Sequence, residues 1–204
     1  MDEDSGVDQS KRATLRRFAA LGAASPLVGV ASGTESESDA PDAITGYVSA
    51  TPGAHFSKIR DDLKLATGET QHYLRELEDE GVLESRKDGE YRRFFQAGQF
   101  SEFEQVTLGY LRRETPRGLL IALLEDPDAT GGETADQLGV SRPTVSRTGA
   151  DLEEAGLLSR QDGYTITEPE TVLLLLVRYA DSFGEGAARL AASAPELVQY
   201  TAEE

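Results

Sequence analysis

The chain has 204 residues, 37 acidic against 20 basic for a formal charge of -17, with two histidines, no cysteine and no tryptophan. That composition excludes disulfide frameworks, thiolate zinc sites and cysteine nucleophiles. It also argues against a general basic coat for nucleic acid, while leaving room for local positive patches. Hydrophobic residues at 38% and aromatics at 7% suffice for one large or two small domains with lean cores, behind an acidic surface that suits high salt, where screening blunts carboxylate repulsion.

Residues 1–42 differ from the rest. An acidic start leads to Lys11-Arg12-Ala13-Thr14-Leu15-Arg16-Arg17, an apolar run from Phe18 to Ala31, and a Ser/Glu/Asp-rich stretch ending at Asp42. This is the layout of a targeting segment and a linker. Arg16-Arg17 resembles a twin-arginine export signal, although Phe18 follows the pair with no spacer. At about 1.5 Å per helical residue the apolar run covers roughly 21 Å, short of a ~30 Å hydrocarbon core, and Pro26 interrupts it. Three expectations stay open: membrane association or export, a short helix docked on the protein, or a disordered leader. The leader is expected to be dispensable for folding.

Beyond Asp42 the chain repeats itself at an offset of 75 residues. Leu63-Lys64-Leu65-Ala66-Thr67-Gly68 lies over Leu138-Gly139-Val140-Ser141-Arg142-Pro143, and Leu77-Glu78-Asp79-Glu80-Gly81-Val82-Leu83 over Leu152-Glu153-Glu154-Ala155-Gly156-Leu157-Leu158. In the first copy, Ile44, Tyr47 and Val48 mark a helix that stops before Thr51-Pro52-Gly53. Phe56, Ile59 and Leu63 mark a short second helix. Thr70, Tyr73, Leu74 and Leu77 mark a third, with Gly81 as its left-handed terminator. Val82 to Arg86, the Asp88-Gly89 turn and Tyr91 to Gln96 predict a hairpin. A connecting helix is expected from about Ser101 to Glu114. In the second copy Pro116 suits a first helical turn ahead of Leu119, Leu120, Leu123 and Leu124. Glu133 to Leu138 forms the short helix. Ser141 caps the third, in which Val145, Gly149 and Leu152 face inward. Leu157 to Arg160 and Tyr164 to Thr167 flank the turn at Asp162-Gly163 as a second hairpin.

The run from Leu138 through Arg147, followed by Leu152-Glu153-Glu154-Ala155-Gly156-Leu157-Leu158, resembles the helix-turn-helix of winged-helix transcriptional regulators of the MarR and ArsR kind. The first copy, with Pro52-Gly53-Ala54-His55-Phe56, Gln71-His72-Tyr73-Leu74 and Leu77-Glu78, is similar to the tandem winged-helix regulators of halophilic archaea. The resemblance covers residues 43 to 184. It implies a mainly α fold with small β-hairpin wings, built as two tandem winged helix-turn-helix domains plus a C-terminal helix. Residues 43–98 and 116–168 would be the domains, 99–115 the connecting helix and 169–204 a dimerisation segment.

It also implies that each third helix enters a major groove of double-stranded DNA while the wing rests on backbone. Ser141, Arg142, Thr144, Ser146 and Arg147 supply hydroxyls for phosphate and guanidinium forks for guanine. In the first copy Thr67, Gln71, His72 and Arg75 correspond, with Gln71 suited to adenine and Glu69 opposed to phosphate. Arg86, Lys87, Arg92 and Arg93 make the first wing a local positive cluster. The alternative for Arg92 and Arg93 is pairing with Glu84 and Glu90. His55 is expected to be a helix-start residue, and no cofactor, metal site or catalytic group is expected.

The C-terminal run Thr171 to Phe183 is apolar nearly all round and needs burial on more than one face. A homodimer seam is the expected sink, with the chain's own connecting helix as the alternative. The expectation is a cytoplasmic, sequence-specific transcriptional regulator that is not an enzyme and whose effector the residues do not identify. The alternatives are a winged-helix protein-interaction module and a regulator tethered to a membrane through residues 11–31.

Overall fold

The computed structural model describes residues 39–197. The expectations about Lys11 to Arg17 and about the Phe18 to Ala31 run lie outside the described residues. The chain is mainly helical with small antiparallel strands, and it divides into two compact units between Ser101 and Glu102.

The first unit runs α1 (Asp39–Ala50), β1 (Ala54–His55), α2 (Phe56–Leu63), α3 (Thr67–Asp79), β2 (Leu83–Asp88) and β3 (Tyr91–Gln96). Helix α1 begins at Asp39, inside the stretch expected to be linker. Pro41 sits in its first turn, where a missing N–H costs nothing, and Ala40 and Ala43 are buried. The core gathers Ile44, Tyr47 and Val48 of α1, Ile59 and Leu63 of α2, Leu74 and Leu77 of α3, and Leu83 and Phe94 of the hairpin. Strand β1 pairs Ala54 with Phe94 and His55 with Arg93, making a three-stranded sheet in the order β1-β3-β2. Two residues are too few to show a strand alternation, so this strand was invisible in the sequence.

The second unit runs α4 (Glu102–Leu111), α5 (Glu114–Glu125), α6 (Gly131–Leu138), α7 (Arg142–Glu154), β4 (Leu158–Ser159), β5 (Thr165–Ile166), α8 (Pro169–Arg178), α9 (Ala180–Phe183) and α10 (Glu185–Leu197). Its wing is a minimal hairpin, with Leu158 opposite Ile166. Helix α8 packs on α4, α5 and α10 of the same unit, with Val172, Leu175 and Leu176 buried. Arg112, just past α4, fastens the far end: its guanidinium donates to Ser182 O at 2.9 Å and Ser182 Oγ at 3.0 Å and lies 4.2 Å from the Phe183 ring centre. The apolar run expected at a homodimer seam is therefore largely covered within its own unit. Of residues Val172 to Val177, only Leu174 (60%) and Val177 (36%) are exposed.

The turn between second and third helices is built the same way in both units. Helix α6 ends on Gly139 at φ 65° and α2 on Lys64 at φ 56°, the two residues that the repeat aligns. In each, the following amide donates back into the helix, Val140 N to Ala135 O and Leu65 N to Arg60 O, both at 3.0 Å. A left-handed lysine carries a steric cost that glycine does not. Lys64→Gly is accordingly expected to raise stability in urea denaturation by about 0.5–1 kcal/mol, the strain relieved exceeding glycine's entropic cost, while Gly139→Lys lowers it.

Candidate nucleic-acid interface

In the second unit the third helix, α7, starts on a built cap. Ser141 is extended at φ -74° and ψ 149°, and its Oγ accepts from Thr144 N at 3.3 Å and lies 2.8 Å from Thr144 Oγ1. Val145, Thr148, Gly149 and Leu152 face inward, which turns Ser141, Arg142, Thr144, Ser146 and Arg147 outward, all five exposed. No carboxylate stands in the first turn. The wing is seated by Tyr164: a Cβ at Gly149 would come 2.7 Å from its Cε1, and one at Gly131 would come 3.0 Å from its Cε2. A Cβ at Gly149 could be admitted only if the ring moved, whereas one at Gly131 would need it to give by a few tenths of an ångström.

In the first unit Thr67, Gln71, His72 and Arg75 are exposed on α3. Glu69, which the sequence set against phosphate, has a local task, because its Oε2 accepts from Ala66 N at 3.1 Å and caps the helix. His72 Nε2 lies 3.8 Å from Glu76 Oε2, and its ring centre is 5.1 Å from that of Tyr73. His55 is the N-cap of α2, as expected: its Nδ1 accepts from Lys58 N at 3.3 Å and its ring centre is 4.8 Å from that of Tyr91. Burial, with the positive charges of Arg93 and Lys58 behind it, holds its pKa below the ordinary histidine value. Bonding to Lys58 N likewise requires an unprotonated Nδ1.

The four cations of the first wing are not equivalent. The register sets Arg86 opposite Arg93 and Lys87 opposite Arg92, so the two pairs lie on opposite faces. Arg93 is 3% exposed. Its Nε donates to Asp88 Oδ2, and its Nη1 donates to Gly53 O at 2.9 Å. Arg93 is thus removed from the phosphate-contacting set: strand β1, unseen in the sequence, brings the Gly53 carbonyl against β3 and closes the arginine in. Arg92 lies on the other face, where its Nη2 donates to Glu78 Oε1 and its Nε to Ser85 Oγ, each at 2.7 Å. The actual carboxylate partners are Asp88 and Glu78, not Glu84 and Glu90. Lys87 is exposed and Arg86 half-buried. Beneath Arg92 a cleft of about 350 Å³ separates α3 from the wing, floored by Phe56, Leu74 and Phe94.

Arg160 went unnoticed in the sequence. It follows β4, lies along α7 with Nη1 donating to Ser146 O at 3.3 Å and Nε 3.5 Å from Glu153 Oε2, and its own N–H donates to Glu153 Oε1 at 3.0 Å. The signal available was its place at the base of the second hairpin, seven residues beyond Glu153.

Residues 38–108 match the family profile described as an N-terminal HTH (helix-turn-helix) domain, and residues 109–173 match that of a Crp-like helix-turn-helix domain. No curated protein and no solved structure matches the chain. The chain therefore carries two helix-turn-helix domains in tandem, the class of fold that presents a helix to DNA. Among the described residues no group of three or more His, Asp or Glu is arranged to hold a metal, and no helix is long and apolar enough to cross a membrane.

Arg93 and Lys87 should separate cleanly on substitution. Arg93→Ala leaves the Asp88 carboxylate and the Gly53 carbonyl without their buried partner and is expected to cost about 3 kcal/mol of stability in urea denaturation. Lys87→Ala is expected to stay within about 0.5 kcal/mol of the parent in the same experiment.

Proposed function

We propose that the chain is a sequence-specific, DNA-binding transcriptional regulator of the winged-helix type, of the MarR and ArsR kind and akin to the tandem regulators of halophilic archaea. The observation that carries this reading is the outward face of α7, where Ser141, Arg142, Thr144, Ser146 and Arg147 stand exposed on one capped helix with no carboxylate in its first turn. Serine and threonine hydroxyls bond phosphate, and a guanidinium bonds guanine O6 and N7 together. The second domain, α5 through β5, is the principal reader. The first, α1 through β3, contributes Gln71 and Arg75 to bases, Thr67 and His72 beside them, and Arg86, Lys87 and Arg92 to the backbone, on a helix that also exposes Glu76 and Asp79.

The experiment is selection of duplexes from a random pool by the full chain, followed by titration of the selected sequence. Arg142→Ala and Arg147→Ala should each weaken binding by about 1–3 kcal/mol and relax base choice at one position. Undiminished affinity and unchanged base preference in both variants would refute the assignment.

A homodimer completes the proposal, since paired readers about one DNA turn (roughly 34–36 Å) apart would engage a pseudo-palindromic site. Leu174 and Val177, exposed and one turn apart on α8, are its contact residues. Leu174→Asp should leave the domain folded with a cooperative unfolding transition, lose the stabilisation that dimerisation adds, and convert dimer to monomer in light scattering. Leu176, fully buried, is unsuited to that test, because Asp there would unfold its own domain. A parent protein monomeric across micromolar concentrations would refute the dimer.

A further inference from the structure

The two domains share a device that neither hairpin sequence displays. Glu78 and Glu153 occupy the same place in the repeat, each the penultimate residue of its third helix. Each is paired with an arginine of its own wing: Arg92 Nη2 lies 2.7 Å from Glu78 Oε1, and Arg160 Nε lies 3.5 Å from Glu153 Oε2. The arginines reach that carboxylate by different routes. Arg92 comes from β3, and Arg160 follows β4, at the repeat position held in the first domain by Ser85. Ser85 is itself bonded to Arg92 Nε. Two hairpins with different arginines thus lay a guanidinium along the same stripe of the third helix, Gln71 to Glu78 in one and Ser146 to Glu153 in the other.

We propose that Glu78 and Glu153 are specificity-determining carboxylates that hold the wing arginines away from DNA phosphate until the third helix has found its matching bases. This proposal rests on the DNA-binding function above. The arginines are the cations that connect wing and third helix, and a wing settled on backbone would bring them beside phosphate. While paired they add little net positive potential, so a random duplex meets a wing already neutralised. Opening is cheap at Arg160–Glu153, with side chains 34% and 43% exposed, since a pair of that kind is maintained by no more than about a fivefold preference. It costs more at Arg92–Glu78, where the arginine is 61% exposed but the glutamate only 16%. A matching sequence, held by base contacts, gives the phosphate time and proximity to take the guanidinium. A mismatched one leaves each guanidinium on its carboxylate and gains no phosphate contact from the wing. Neither glutamate touches a base; both act through the arginine.

The test uses the full chain, a fluorescein-labelled random-sequence duplex and a series of potassium chloride concentrations. Glu78→Gln and Glu153→Gln should each tighten binding about two- to fivefold at low salt and steepen the salt dependence by about 0.9 in log–log slope, the increment expected when one more phosphate is neutralised by a freed guanidinium. The urea unfolding midpoint should not move. Glu125→Gln, the same charge change at the end of α5, should leave the slope unaltered. The tighter binding should vanish in the backgrounds Arg92→Ala and Arg160→Ala respectively. A Gln variant that binds more weakly than the parent, a slope unchanged in both, or tighter binding that persists without the arginine overturns the proposal and leaves the DNA-binding function intact. Absence of duplex binding by parent and variants alike overturns both.

Discussion

The left-handed residue between the second and third helices is the constraint on which each domain depends. It reverses the chain within one residue, lets the next amide bond back into the helix just ended, and delivers an extended N-cap, Ala66 or Ser141, to start the third helix at a fixed angle. Everything a third helix can present to a partner follows from that entry. The buried positions of α7, Val145, Thr148, Gly149 and Leu152, sit at helical spacing from the cap, so Arg142 and Arg147 point outward only while the cap holds. In the first domain the same turn is made by a lysine. The architecture tolerates that cost because the leucines on either side, Leu63 and Leu65, are anchored in the core.

The domains diverge in how the wing is seated. In the first, a third strand and a buried arginine brace β3: Arg93 ties the Asp88 carboxylate to the Gly53 carbonyl, so the wing is fixed from its outer side. In the second the strands are only two residues each, and the hairpin is held by Tyr164 lodged against Gly149 and Gly131. One wing is secured by polar bonds and the other by a ring against backbone. Any side chain at Gly149 would force the Tyr164 ring off its seat on α7.

Much of this was legible in the sequence because helices of this length declare their faces through spacing, and because two copies of one pattern check each other. The third helices, their caps at Ser141 and Gly81, and the inward face through Gly149 all follow from local chemistry that tertiary packing did not override. What was illegible depended on partners distant in sequence. Arg93 looked like a wing cation because its burial is produced by Gly53, forty residues earlier. Arg160 looked like no more than the end of a hairpin strand because Glu153 and Ser146 become its partners only when the hairpin folds back on α7. The α8 run looked unpartnered because the short α9 turn that brings α10 back onto it, with Arg112 as the clasp, carries no periodic signal. The start of α1 was missed for a local reason: acidic and proline residues at a helix N-terminus read like linker.

On the proposed function, the placement of individual arginines accounts for how a chain of charge -17 would serve DNA. Net charge acts over a Debye length, about 8 Å at physiological salt and about 3 Å near 1 M, whereas a bonded guanidinium acts at contact. High salt suppresses the repulsion between an acidic protein and phosphate, and it equally suppresses the counterion release on which basic proteins rely. In such a medium affinity would come from short-range, directional contacts, and the placement of each arginine would matter more than the total. Here one arginine is enclosed as structure (Arg93), two are paired across the wing (Arg92 and Arg160), and two stand outward on the capped helix (Arg142 and Arg147). Of these five only the last two are exposed without a carboxylate partner among the described residues, and they lie on the face that the proposed function turns toward the bases.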